Sequence, residues 1–157
     1  MNSSKNILVL GIGNILLGDE GIGIHAINKL LPKKFPSNVE LLDGGTGGFH
    51  LLSLFQDYPT IILIDATMDG EPDGTVRLLQ PKFSSDFPKT LSAHEIGLRD
   101  LIESSVLISA LPKIYLITIS ISSIQPMMME LSPKVQESIS EIERIVFEIL
   151  NNEIKLT

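Results

Sequence analysis

Ile61-Ile62-Leu63-Ile64 run together without a polar break and stop at Asp65. A short continuous apolar run rich in β-branched residues suits a strand covered on both faces, the condition found in parallel sheets. Ile7-Leu8-Val9-Leu10 has the same character and ends at Gly11. Parallel neighbours can be joined only by long crossovers, so helices must lie between and around these strands. That requirement restricts the fold to the α/β class.

The chain supplies the helices. After the Gly-rich loop Gly11–Gly18, Asp19 reads as an N-cap and a helix is predicted from about Glu20 to Leu31, stopped by Pro32. Ile24, Ile27 and Leu31 share one face of it with Glu20, and the apolar three mark that face as the one packed on the sheet. Val39–Leu42 is the next strand, broken by Asp43-Gly-Gly-Thr-Gly-Gly48, and a short helix follows over Phe49–Phe55. Thr75–Leu79 reads as an edge strand after the turn-rich Asp69–Gly74, Pro81–Ser92 as a loop, and Glu95–Ser109 as a helix. Lys113–Ile121 is a further strand. The last helix, from Ser132 to about Leu150, opens with Ser-Pro at the N-cap and first turn, and Glu148–Thr157 is expected to fray.

Strands alternating with helices imply βαβ units with right-handed crossovers and helices on both faces of the sheet. The expectation is one three-layer α/β domain over residues 1–157, its mostly parallel sheet having about five strands. In such sheets ligands bind beyond the carboxyl ends of the strands.

Composition narrows the function. Asp plus Glu number 19 against 12 Lys plus Arg, a net charge of −7 that disfavours nucleic acid and anionic membrane surfaces as partners. The absence of cysteine excludes disulfides, thiolate zinc sites, iron–sulfur clusters and a cysteine nucleophile. No apolar run approaches the roughly 18–20 residues of a membrane span. The first residues do not read as a signal peptide, so a soluble, cytoplasmic protein is expected.

Three residues stand out at the rim where ligands bind. Glu20 lies at a helix start but on the stripe that faces the sheet, although a first-turn acid also has a purely local electrostatic reason to be there. Asp65 leaves a buried strand at its carboxyl tip, where it either closes a turn or meets a cation. His94, in Ser92-Ala-His-Glu95, precedes a helix, where an imidazole serves as ligand, general base or cap. His25 and His50 read as structural or surface residues. Two carboxylates and an imidazole suit a borderline divalent ion such as Ni²⁺ or Zn²⁺ and leave coordination positions open.

Several familiar motifs fail. Gly11-Ile-Gly13 begins a dinucleotide fingerprint, but Leu16 stands at its third glycine position; Asp43 at the end of strand two keeps a nucleotide reading open. Asp19 and Glu20 would repel a pyrophosphate at that helix start. Gly18 is followed by Asp19 where a P-loop needs Lys. His94-Glu95 lacks a second histidine at Leu98, and no Gly-x-Ser-x-Gly elbow exists. Met127-Met-Met129 reads as packing or as a partner surface.

Gly11-Ile-Gly-Asn-Ile-Leu-Leu-Gly-Asp-Glu-Gly-Ile-Gly23, Asp43-Gly-Gly-Thr-Gly47, Ile64-Asp-Ala66 and Ser92-Ala-His-Glu95 occur in that order. Together they closely resemble the hydrogenase maturation endopeptidase family, whose members process the large subunit of [NiFe] hydrogenases. The resemblance implies a twisted sheet flanked by helices and metal contact by Glu20, Asp65 and His94, which would form the catalytic site. It implies that Asp43, Gly44, Gly45 and Thr46 help recognise the substrate. It further implies removal of a C-terminal extension from the large-subunit precursor once nickel is in place. The nickel then arrives with the substrate, and no tightly bound resident cofactor is expected. Glu95 or a ligand carboxylate is a candidate base. Acidification should lower activity, since a metal-binding imidazole must be neutral. A monomer is expected, without nucleic acid or membrane insertion. Ser123 stands where many relatives carry Gly. Other readings that fit the same residues are a hydrolase with its own zinc, and a nickel-dependent assembly checkpoint that binds without cutting.

Overall fold

The structure, a computed structural model, describes residues 6–46, 51–82, 86–88, 103 and 111–155. In chain order, Ile7–Gly11 is β1, Ile22–Leu30 is α1, Val39–Asp43 is β2, Leu51–Asp57 is α2 and Thr60–Thr67 is β3. Val76–Leu79 is β4, Lys113–Ser120 is β5, Pro133–Glu137 is α3 and Ile139–Lys155 is α4. A 3-10 turn over Gly18–Gly21 precedes α1. The strands form one five-stranded sheet in the order β2-β1-β3-β5-β4. The first four of these run parallel, and β4 is antiparallel at the edge. This is the mostly parallel α/β sheet expected from the apolar runs.

Side chains alternate across a strand, so each strand feeds two cores. Ile62 and Ile64 join Tyr115, Ile117 and Ile119 under α1 and α4. Ile61 and Leu63 join Leu8, Leu10, Ile114 and Leu116 against Leu51 and Phe55 of α2. Helices therefore cover both faces. By the same alternation Asp65, Thr67, Thr118 and Ser120 continue the α2-side face toward the strands' carboxyl ends. All four are buried, so an apolar face turns polar where ligands bind in such sheets.

The order of strands has a consequence. From β1 the chain crosses to β2 on one side and then returns to β3 on the other. Outside the carboxyl ends of β1 and β3 the connections therefore diverge, which makes this the switch point where ligands bind in such sheets. Ile12 extends the pairing past β1, its N–H donating to the Ile64 carbonyl at 3.0 Å.

Three expectations are corrected. Glu20 does not begin the first helix; Asp19 and Glu20 lie inside the 3-10 turn, and α1 starts at Ile22. The final helix is broken at Ser138, whose hydroxyl donates to the Val135 carbonyl at 2.6 Å, a local bond that competes with helix continuation. The stretch Glu148–Lys155 is helical instead of frayed, the last part of α4. Val146, Ile149 and Leu150 are buried, and Glu153 pairs with Lys113 at 3.1 Å, fastening the last turn to the start of β5. The short helix begins at Leu51 within the described residues. The helix predicted over Glu95–Ser109 lies outside them except at Glu103, which is helical.

Candidate active site

Between β1 and the 3-10 turn the chain folds back on itself. Asn14 Oδ1 accepts the Leu16 N–H at 2.9 Å, an Asx turn that tightens the loop. The Asn14 N–H points the other way and donates to Glu20 Oε2 at 2.7 Å. Glu20 is only 1% exposed, so its carboxylate is held away from bulk solvent. The sequence placed this residue at the rim for a partly wrong reason. It faces inward because of the turn, and α1 begins two residues later.

Asp65 is fully buried near the carboxyl end of β3, beside Thr118 of β5 in the strand register. Its Oδ1 accepts the Ala66 N–H at 2.9 Å. The elements that carry the two acids meet because α1 starts hard against the sheet. A β-carbon on Gly23 would lie 2.5 Å from the Ile64 carbonyl oxygen, so only glycine allows this contact. Glu20 precedes Gly23 by one turn, and Asp65 follows Ile64 directly. Two ionised carboxylates in so little solvent are costly unless cations or hydrogen-bond donors answer them.

Asp43, exposed at the end of β2, accepts the Gly45 N–H through Oδ1 at 2.8 Å. Gly44 N–H donates to the Gly11 carbonyl and Gly13 N–H to the Gly45 carbonyl, each at 2.8 Å. Gly45 takes φ = 58°, the left-handed region that an Asx turn on Asp43 favours. These bonds stitch the Asp43–Gly45 loop to the loop that leads to Glu20, and Thr46 is exposed beside them. Glu20, Asp65 and Asp43 with its glycines thus share one end of the sheet. His94, Glu95 and His50 lie outside the described residues. Among the described residues no group of three or more His, Asp or Glu side chains forms a metal site.

The long-range bonds here had no sequence signal. Asp19 was expected to cap its own helix, but its carboxylate accepts two bonds from Ser132: from the N–H at 2.7 Å and from the hydroxyl at 2.8 Å. Ser132 does precede α3, with Pro133 in its first turn, yet its hydroxyl makes no cap because Asp19 takes it. The Asp19 N–H donates to Gln125 Oε1 at 2.8 Å, and the Gly18 N–H to the Met128 carbonyl at 2.7 Å. The Met127–Met129 run is not packing. Met127 is 91% exposed with φ = 61°, and Met128 and Met129 are exposed too. With Leu16 they form an apolar rim beside the turn that carries Glu20.

Comparison with known proteins agrees with the motifs. A family model described as hydrogenase maturation protease matches residues 24–149. The hydrogenase expression/formation protein HupM of Azotobacter chroococcum is 36% identical over 116 residues, covering 71% of this chain and 54% of that protein. HupD of Thiocapsa roseopersicina is 32% identical, with 96% and 70% covered. The hydrogenase 2 maturation protease of Escherichia coli is 36% identical, with 68% and 67% covered. The chain spans about half the length of several curated relatives it matches. Among solved structures, the hydrogenase maturating endopeptidase HybD from E. coli superposes with a TM-score of 0.84 at 32% identity, covering 94% of this chain and 93% of that one. HybD from Thermococcus kodakarensis, at 24% identity and a TM-score of 0.75, shares the fold. With its motifs in order, its sheet and its two buried acids in place, the chain belongs to the hydrogenase maturation protease family.

Proposed function

We propose that this protein is an endopeptidase that removes the C-terminal extension of a [NiFe] hydrogenase large-subunit precursor, and that it reads the nickel already held in that precursor. One observation carries the reading. Glu20 and Asp65 are carboxylates almost without solvent, both at the switch-point end of the sheet, in a chain of this family. Carboxylate oxygens held at this end of the sheet are suitable hard donors for a cation, and the precursor supplies one. His94, from the Ser92–Glu95 motif, completes an oxygen, oxygen and nitrogen set suited to a borderline ion.

In this reading the metal is part of the substrate. Glu20 and Asp65 grip it, which fixes the scissile peptide against this end of the sheet; orientation of this kind can lower a barrier by about 7–11 kcal/mol in favourable cases. Asp43 with Gly44 and Gly45 offers a narrow backbone surface for the incoming chain, and Thr46 lies beside it. Glu95 or one of the gripping carboxylates takes the proton from water. The rim of Leu16 and Met127–Met129 supplies flexible apolar contact to the precursor, a use to which exposed methionines are suited.

The test uses the large-subunit precursor in nickel-loaded and nickel-free forms and follows its mass. Release of the C-terminal peptide from the loaded form alone is the expected result. Equal cleavage of both forms would remove nickel recognition from the proposal, and binding without cleavage would make the protein a checkpoint.

A further inference from the structure

A four-residue 3-10 turn does not hold its own shape, since its hydrogen bonds are few and poorly aligned. The turn over Gly18–Gly21 also lacks a side-chain cap. Its geometry must come from outside, and much of it comes from one segment, Gln125–Ser132. Gln125 Oε1 accepts the Asp19 N–H at 2.8 Å, and the Gln125 N–H donates to the Leu17 carbonyl at 3.3 Å. The Met128 carbonyl accepts the Gly18 N–H, and the Met128 N–H donates to the Leu16 carbonyl at 3.2 Å. Gly18 has φ = 61°, and the Gln125 side chain fills the space where a β-carbon would stand. Asp19 completes the set. The residue is 1% exposed, and each carboxylate oxygen accepts one bond from Ser132.

Asp19 and Glu20 are consecutive in a turn of about three residues per revolution, so their side chains diverge by roughly a third of a circle. One points back to Ser132, and the other points to Asn14. Fixing the first therefore fixes the direction of the second.

We infer that Asp19 is a positioning residue: bound by Ser132 and Gln125, it locks the rotation of the turn and holds the Glu20 carboxylate at its post. This deepens the proposed function, because it matters for processing only if Glu20 grips the substrate's nickel. The anchor itself can be read without that assumption. The Asn14 amide donates to Glu20 Oε2 at 2.7 Å and reports directly where that carboxylate sits.

The experiment measures amide hydrogen exchange on the full chain and processing kinetics on the nickel-loaded precursor. The variants are Asp19→Asn, Ser132→Ala and Ser132→Thr. Ser132→Ala keeps the Ser132 N–H bond to Asp19, so it folds even where Asp19→Asn does not. Asp19→Asn and Ser132→Ala should speed exchange of the Asn14 amide by at least about tenfold while the Ile62 and Leu63 amides keep wild-type protection. The kcat should fall roughly 10–100-fold with KM little changed, the size usual for a group that orients a metal contact. Ser132→Thr, which keeps the hydroxyl, should restore both readouts. Unchanged Asn14 exchange in folded Ser132→Ala and Asp19→Asn overturns the inference. Loosening of Asn14 together with undiminished processing by Glu20→Gln leaves the anchor standing and refutes the catalytic reading of Glu20.

Discussion

The Ile64 carbonyl oxygen lies 2.5 Å from the point a β-carbon on Gly23 would occupy, and the Ile12 carbonyl is closer still. Both contacts are to backbone, so the helix cannot accept even a methyl group without moving off the sheet. Gly23→Ala should destabilise the fold by about 1–3 kcal/mol, the usual cost of overpacking, although alanine is the better helix former. Because the displaced helix start carries the turn with it, Glu20 should also shift relative to the sheet. Urea unfolding and precursor cleavage together check this. A variant of wild-type stability would show that the contact is looser than the geometry indicates.

Glu20 and Asp65 should be worth more to activity than to folding. Replacing a buried carboxylate by its amide removes a charge that burial penalises while keeping an acceptor for the Asn14 or Ala66 N–H. Glu20→Gln and Asp65→Asn are therefore expected to cut processing of the loaded precursor by about 100-fold or more and to leave the melting temperature unchanged or raised. Loss of stability with activity intact would assign these acids to the architecture alone.

What the sequence made legible was local. Asp65 could be found because it terminates an apolar run, and Asp43 because it opens a glycine loop. Glu20 was legible as an acid on an apolar stripe, although the helix begins later and Leu31, taken as the stripe's last member, is 55% exposed while Leu30 is buried in its place. Bonds that join distant segments left no mark. Asp19 meets Ser132 across 113 positions and Gln125 across 106. Each of these residues has a sufficient local explanation as a cap or a loop residue, and a tertiary partner displaced it. The end of α4 was misread for a related reason. Its polar composition suggests fraying, but Val146, Ile149 and Leu150 fall on one helical face and Glu153 reaches Lys113.

Tyr58 makes one contribution to stability that depends on alkaline pH. Burial first, then the hydrogen bond to Glu40 and the charges of Glu40 and Asp57, push its phenol up from 10.0 to about 12. A folded value raised above the unfolded one means that the contribution is complete below pH 10 and disappears as pH rises through 12. Wild-type protein should therefore lose stability across that window more steeply than Tyr58→Phe. Urea midpoints at intervals from pH 9 to 12 measure the difference, and parallel curves would remove the phenol from the account.

The methionine rim separates binding from chemistry. Met127 is 91% exposed, so charging it or Met129 takes nothing from the core. Met127→Glu with Met129→Glu should leave the melting temperature within about 2 °C of wild type, as surface changes do. Acids placed on an apolar contact surface should nonetheless weaken precursor binding, and losing two such contacts raises KM by roughly tenfold or more while kcat stays near wild type. A second substitution probes the backbone. Met127 holds φ = 61° without being glycine, a conformation that costs about 1 kcal/mol. Met127→Gly relieves that strain but enlarges the entropy of the unfolded chain, so its stability should change by less than about 1 kcal/mol. If the rim touches the precursor, Met127→Gly raises KM without the stability loss that would betray a structural role. An unchanged KM in both variants would place the precursor elsewhere on the molecule.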